Sequence, residues 1–255
     1  MLLRDVAEGV HQLTVSHTNV YLVEHEGGIL LVDAGLPAFW PHLLIALKEL
    51  GADPTSVSGV LLTHAHFDHV GCVQRVRREW NVPVWHHAAE TALLAHPYRY
   101  DHERARLPYA VRFPRNLPAL WDFALAGALV VHGATDGSPL GADLQLPASA
   151  LAGSGTATGP VVLATPGHTA GHIALHLPDR DALLVGDAIV TLDPYTGATG
   201  PQIVAGAATA DSTRALRSLE TLAATGATTV LPGHGAAWTG GISEAVAAAW
   251  TTGAH

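Results

Sequence analysis

Four times along this chain an apolar run stops at a tight turn, and a histidine or aspartate follows at once. The four places are Leu61-Leu62-Thr63-His64-Ala65-His66-Phe67-Asp68-His69, Thr165-Pro166-Gly167-His168, Val185-Gly186-Asp187 and Leu231-Pro232-Gly233-His234. Strand ends are rigid and the loops after them are open, so a fold that repeats this design aims its polar side chains at one point. Glycine in three of these turns permits backbone angles and close approaches that other residues resist. His64 and His66 share a face if the stretch is extended, because alternate residues point the same way. Asp68 and His69 begin the next turn or helix and point elsewhere, toward a second centre. Imidazole nitrogens and carboxylate oxygens suit zinc at about 2.0–2.2 Å. Two metals sharing a carboxylate would sit about 3.5–4 Å apart.

Around these points the pattern alternates between strand and helix. Strands are expected at 10–15, 20–25 and 29–33, joined by the Glu26-Gly27-Gly28 turn as hairpins, then at 57–63, 82–86, 161–165, 173–177, 182–185 and 229–231. Helical spacing of apolar residues marks 40–50, closed by Gly51, and then 70–79, 88–94, 212–224 and 243–250. Between 97 and 121 the pattern breaks into mixed aromatic, arginine and proline sequence, read as a segment at about 96–125 covering one edge of the site. Short strands alternating with turns are expected over 126–147, and a loose Gly/Ser/Thr/Ala loop over 150–159. Hairpins and helices in one 255-residue chain favour a single domain over 1–255, of α/β class, with a sheet-containing sandwich inside outer helices.

Composition excludes several classes. Lys and Arg number 13 against 22 Asp and Glu, a formal charge of -9, so no overall field draws the chain to nucleic acid or to an anionic membrane. Cys72 is the single cysteine, which rules out a disulfide framework or a cysteine-rich zinc module; it reads as small buried filling. No long uncharged apolar run is present, and the start at Met1-Leu2-Leu3-Arg4 lacks the regions of a leader, so a cytoplasmic protein is expected.

The stretch Thr63 to His69, with Thr165 to His172, Val185 to Ala188 and Leu231 to Gly235, resembles the metallo-β-lactamase-fold hydrolases, over nearly the whole chain from Val10 to about Trp238. The resemblance implies a four-layer αββα sandwich of two similar halves, with two divalent metals at one edge. It implies that His64, His66 and His168 hold the first metal, that Asp68, His69 and His234 hold the second, and that Asp187 bridges them. The set is complete, which speaks against a non-catalytic relative, and His66 is not a glutamate, which speaks against the di-iron oxygen-reducing branch. Asp33 is similar to an aspartate that supports the metal histidines from behind, fixing a tautomer; its alternative is a bond within its own turn. His172 reads as structural rather than as a ligand.

The implied chemistry is attack on a carbonyl, or a phosphorus, by a hydroxide shared between the metals, with Asp68 as a proton carrier. Zinc is the expected ion; iron, manganese, nickel or cobalt also suits a mixed nitrogen and oxygen site. Tyr195 either donates a hydrogen bond to substrate, as a tyrosine does in lactone-cleaving relatives, or packs its own loop. The glycine-histidine turns look like those of glyoxalase II and the lactonases. Yet no Lys or Arg follows Arg217, so a C-terminal basic cluster for a carboxylated thiol is missing. Tyr98, Tyr100, Tyr109, Trp121 and Phe123 point to an aromatic lining. The expected substrate is a small ester, lactone or thioester. A β-lactam, a phosphodiester or a purely metal-binding role are the alternatives, and oligomeric state is not readable.

Overall fold

The computed structural model describes residues 1–151 and 159–255. It opens with four antiparallel strands, β1 (Leu2–Ala7), β2 (Val10–Val15), β3 (Thr18–His25) and β4 (Gly28–Val32). The helix α1 (Phe39–Glu49) then crosses over to β5 (Val57–Leu61), which runs parallel to β4, as a helical crossover requires. Two short helices, α2 (Phe67–Val70) and α3 (Val73–Trp80), lead to β6 (Val84–His86). Next come α4 (Thr91–Ala95), α5 (Leu107–Arg112), α6 (Leu117–Leu125) and the two-residue β7 (Ser138–Pro139), which ends a seven-stranded sheet in chain order.

The second sheet holds β8 (Val161–Ala164), β9 (Ile173–Leu177) and β10 (Ala182–Gly186). A small ribbon of β11 (Val190–Leu192) and β12 (Thr199–Gln202) follows, then α7 (Ser212–Ala223), β13 (Thr229–Pro232) and α8 (Ile242–Thr252). Its order is β13-β10-β9-β8, with β13 parallel to β10.

Strand parity builds the layers. Leu22, Leu31 and Val60 face α1 and α3, whereas their neighbours Tyr21, Val23, Leu30, Val32 and Leu61 meet Ile173, Leu175, Leu184 and Leu231 of the other sheet. On the far side Ala174, Leu183 and Val185 pack on Leu219 and Leu222 of α7 and Val246 of α8. The result is the four-layer αββα sandwich. Both faces of the central strands are buried, which is why they read as continuous apolar runs instead of alternating ones. Truncating a fully buried Leu30 or Leu31 to alanine would cost about 2–5 kcal/mol.

Three stretches differ from their sequence reading. The helix expected at 70–79 starts later, as α3, and is split from the single turn of α2 because the Gly71 N–H donates to the Gly35 carbonyl at 2.6 Å instead of back along the helix. The segment at 97–121 contains α5 and α6; each has a proline in its first turn, where the missing N–H is harmless, and that mixture hid the helices. Over 126–147 only Ser138–Pro139 forms a strand, and other backbone donors go to neighbouring elements, as with Ala134 N–H to the Leu94 carbonyl at 2.9 Å. The ribbon β11–β12 was not anticipated. Of the loop expected at 150–159, residues 152–158 lie outside the described residues.

Candidate metal centre

The C-terminal ends of β5, β8, β10 and β13 converge, and the turns after them carry the candidate side chains. Hydrogen bonds tie the sheets here: Ile173 N–H donates to the Thr63 carbonyl at 2.9 Å, Asn19 N–H to Gly233 at 2.8 Å, and the Tyr21 hydroxyl to Pro232 at 2.7 Å. His64 and His66 follow β5, and His66, in extended backbone, precedes the single turn of α2 that bears Asp68 and His69. His168, Asp187 and His234 follow β8, β10 and β13 respectively.

All seven are buried. Their donor atoms form three overlapping groups, His64–His66–His168, Asp68–His69–His234 and His64–His69–Asp187, and within each group the atoms lie within 4.8 Å of one another. Asp187 stands between the first two. Its Oδ2 is 3.4 Å from His168 Nε2, 3.9 Å from His64 Nε2 and 3.3 Å from His234 Nε2, while its Oδ1 is 3.6 Å from His69 Nε2.

The donor set fits a pair of metal ions. His64 Nε2, His69 Nε2 and Asp187 Oδ1 are buried without a hydrogen-bond partner, an arrangement that is expensive unless a cation takes their lone pairs. The ring orientations agree. Thr63 Oγ1 donates to Asp33 Oδ2 at 2.8 Å, so its remaining role toward His64 Nδ1, 3.0 Å away, is to accept. His64 therefore carries its proton on Nδ1 and turns a bare Nε2 inward. By the same logic His168 Nδ1 donates to Thr209 Oγ1 at 3.3 Å, because that hydroxyl gives its own proton to the Val204 carbonyl. His234 Nδ1 donates to the His17 carbonyl at 2.9 Å, and His69 Nδ1 to Asp33 Oδ2 at 2.8 Å. Four rings thus present Nε2 to the centre.

Charge divides the cluster. Burial, reinforced by the neighbouring imidazoles, holds His64 well below the ordinary histidine range. Burial, together with His66, likewise holds His168 well below it. Burial also brings His66 down to about 4. Burial pushes His69 the same way, but the carboxylates of Asp68, Asp187 and Asp33 together outweigh it and raise His69 to about 9. His234 is raised well above its ordinary value, against its burial, by Asp187 and Asp68.

Several supporting residues escaped the sequence reading or were left open by it. Asp33 adopts a left-handed φ of 65°, which aspartate tolerates, and grips the β5 turn through Thr63 N–H at 2.8 Å while its other oxygen faces His69. The carboxylate thus bonds His69 and, across to the next strand, Thr63, and among the described residues it makes no bond within its own turn. His172 accepts from the Asp187 N–H at 3.0 Å and contacts Thr165 Oγ1 at 2.7 Å, so it orients the aspartate backbone and lies outside all three donor groups. Gly233 is required by space, since a Cβ would fall 2.1 Å from Asp187 Oδ1. Glu90 and Arg106 were not foreseen. Glu90 is a lone acid in an Ala/Leu helical stretch, a signal that sequence reading could have used.

A cavity of about 280 Å3 opens beside Asp68, Asp187 and His234. Its walls include Phe67, Tyr98, Tyr100, Phe123, Leu129 and Val204. Tyr109 sits behind that wall against Ala205 and Ala207, and Trp121 is 67% exposed, so neither belongs to the lining expected of them. Tyr195 lines the cavity with its hydroxyl 3.2 Å from that of Tyr100, and burial raises it well above the ordinary phenol range. The Arg106 guanidinium lies 4.2 Å over the Tyr100 ring and is the cavity's one Lys or Arg among the described residues. Cys72 is buried, its thiol pushed up to about 12 by burial, as inert filling would be.

The family model of the metallo-beta-lactamase superfamily matches residues 13–234, and the chain belongs to that superfamily. It is 29% identical to the probable metallo-hydrolase YflN of Bacillus subtilis, over 92% of this chain and 87% of the relative. It is 28% identical to the N-acyl homoserine lactonase AttM of Rhizobium radiobacter, over 84% and 80%. Among solved structures, TTHA1623 in a di-iron-bound form superposes with a TM-score of 0.59 at 27% identity, over 89% of this chain and 92% of that one. Fold, family and the paired His/Asp clusters define a metal-dependent hydrolase acting on a small substrate. Among the described residues, no helix is long and apolar enough to cross a membrane.

Proposed function

We propose that this protein hydrolyses a small carboxylic ester, lactone or thioester at a pair of divalent metal ions. One observation carries the reading: two donor sets with Asp187 between them lie at the foot of a largely apolar cavity. His64, His66 and His168 would hold one ion and Asp68, His69 and His234 the other, with Asp187 shared. Zinc suits the nitrogen-rich set, and the di-iron form of TTHA1623 makes iron the second candidate. When bound, such ions lower the pKa of water toward neutrality and polarise an oxygen that gains charge.

The chain's own groups supply the rest. Tyr195, held protonated by its burial, donates a hydrogen bond to the substrate oxygen that becomes negative. Asp68 borders the cavity, where it can pass a proton to the leaving group. Phe67, Phe123 and Leu129 take the apolar part of the substrate and exclude water. The similarity to a named lactonase across most of both chains favours this substrate class over β-lactams or phosphodiesters.

Metal-quantified protein assayed on ester, lactone, thioester, β-lactam and phosphodiester substrates tests the proposal. Turnover is expected in the first three classes, with kcat for Tyr195→Phe lowered about tenfold at unchanged metal content. Stoichiometric metal with no turnover of any ester, lactone or thioester would overturn it.

A further inference from the structure

The two turns that supply the three-histidine cluster come from different sheets, and one buried side chain holds both. Glu90 lies in the helical turn 88–90 that leaves β6, is only 1% exposed, and belongs to none of the donor groups. Its Oε2 accepts from the Ala65 N–H at 2.9 Å, between His64 and His66. Its Oε1 accepts from the Gly171 N–H at 2.7 Å, in the turn that carries His168. A buried carboxylate is costly unless its oxygens are satisfied, and here each oxygen takes a backbone donor from a different turn. The partner position is shaped for it: a Cβ on Gly171 would fall 2.9 Å from Glu90 Oε1 and 2.7 Å from His87 Nδ1.

We propose that Glu90 is a positioning residue that sets the spacing of His64 and His66 against His168, and so tunes metal binding at that cluster. It acts through backbone bonds to the two turns, whereas Asp33 bonds directly to a ring nitrogen of His69 as well as to Thr63. The inference rests on the metal-binding reading of the site but not on any substrate. Only a carboxylate accepts at both ends. Glutamine in its place would set an amide N–H against one of the two backbone donors.

Cobalt(II) titration of metal-free protein against a competing chelator tests this, with the visible ligand-field spectrum as the report of coordination geometry. Glu90→Gln should weaken binding at the three-histidine cluster by about 10–100-fold and alter its spectrum. Affinity at Asp68–His69–His234 should stay close to wild type, even though the opposed amide lowers the thermal midpoint of the metal-free protein by a few degrees. Gly171→Ala, which crowds the same carboxylate from the opposite turn, should give the same pattern and serves if Glu90→Gln fails to fold. Wild-type affinity and spectrum in both variants would overturn the role. So would an equal loss at both clusters in step with a fall in the metal-free midpoint, since that marks general structural damage. Wild-type protein that takes up no cobalt would instead overturn the metal reading itself.

Discussion

His66 and His69 stand three residues apart on one turn, yet their surroundings push them in opposite directions, to about 4 and about 9. His66 joins His64 and His168 in a group where burial outweighs the pull of Asp68 and Asp187, whereas around His69 the three carboxylates of Asp68, Asp187 and Asp33 together outweigh burial. In the metal-free protein the first cluster is therefore neutral and open to a cation. The second keeps protons on His69 and His234 that balance buried carboxylates. One half of the site waits for a metal, and the other must release protons to accept one.

Asp187 offers the largest effect with which to break this contrast. Asp187→Ala removes the group between the clusters, so both ions should be lost and turnover should fall by about three orders of magnitude or more. His64→Ala should spare metal at the second cluster. Full metal and activity in either variant would refute the assignment, with metal content and turnover read on the same sample.

The proton argument predicts different pH responses. Binding at the first cluster should be nearly flat between pH 6.5 and 8.5. At the second it should rise with pH, by roughly tenfold per unit for each proton displaced, up to about 9 where His69 loses its own proton. Calorimetry in buffers of different ionisation enthalpy would count the protons released, and equal release at both clusters would remove the distinction. Asp33→Asn sharpens it further, because the amide cannot match the carboxylate behind His69. Second-cluster affinity should drop by about 10–100-fold, and by more than at the first cluster, which Asp33 reaches only through Thr63.

The smallest effect is on stability without metal. His66 and His172 have folded-state values lowered to about 4 and about 3, so below pH 6.5 the unfolded chain takes up protons that the native one refuses. Their contribution is present above pH 6.5 and is lost as the pH falls toward those values. His69, raised to about 9, contributes fully below pH 6.5 and loses its contribution as the pH climbs to 9. The thermal midpoint of chelated protein should thus peak near pH 6.5 and drop several degrees on each side, at roughly 2–4 °C per kcal/mol for a chain of this size. His69→Asn should flatten only the alkaline side.

The seven candidate side chains that the structure brings together, and most of the strands, were readable from the chain itself, because each depends on local pattern: an apolar run, a tight turn, then a histidine or aspartate at short spacing. Helices α5 and α6 were not, since prolines and aromatics blurred their period, and burial against the site decided what propensity did not. Covalent order alone determined which groups could ligate and that they would leave strand ends. Only the packing of the two sheets decided which carboxylate stands between the clusters, which histidines keep a proton, and that Glu90, 25 residues from Ala65 and 81 from Gly171, grips both turns. Those are properties of distance and burial across the sandwich, and electrostatic energies follow separation in space, not position along the chain.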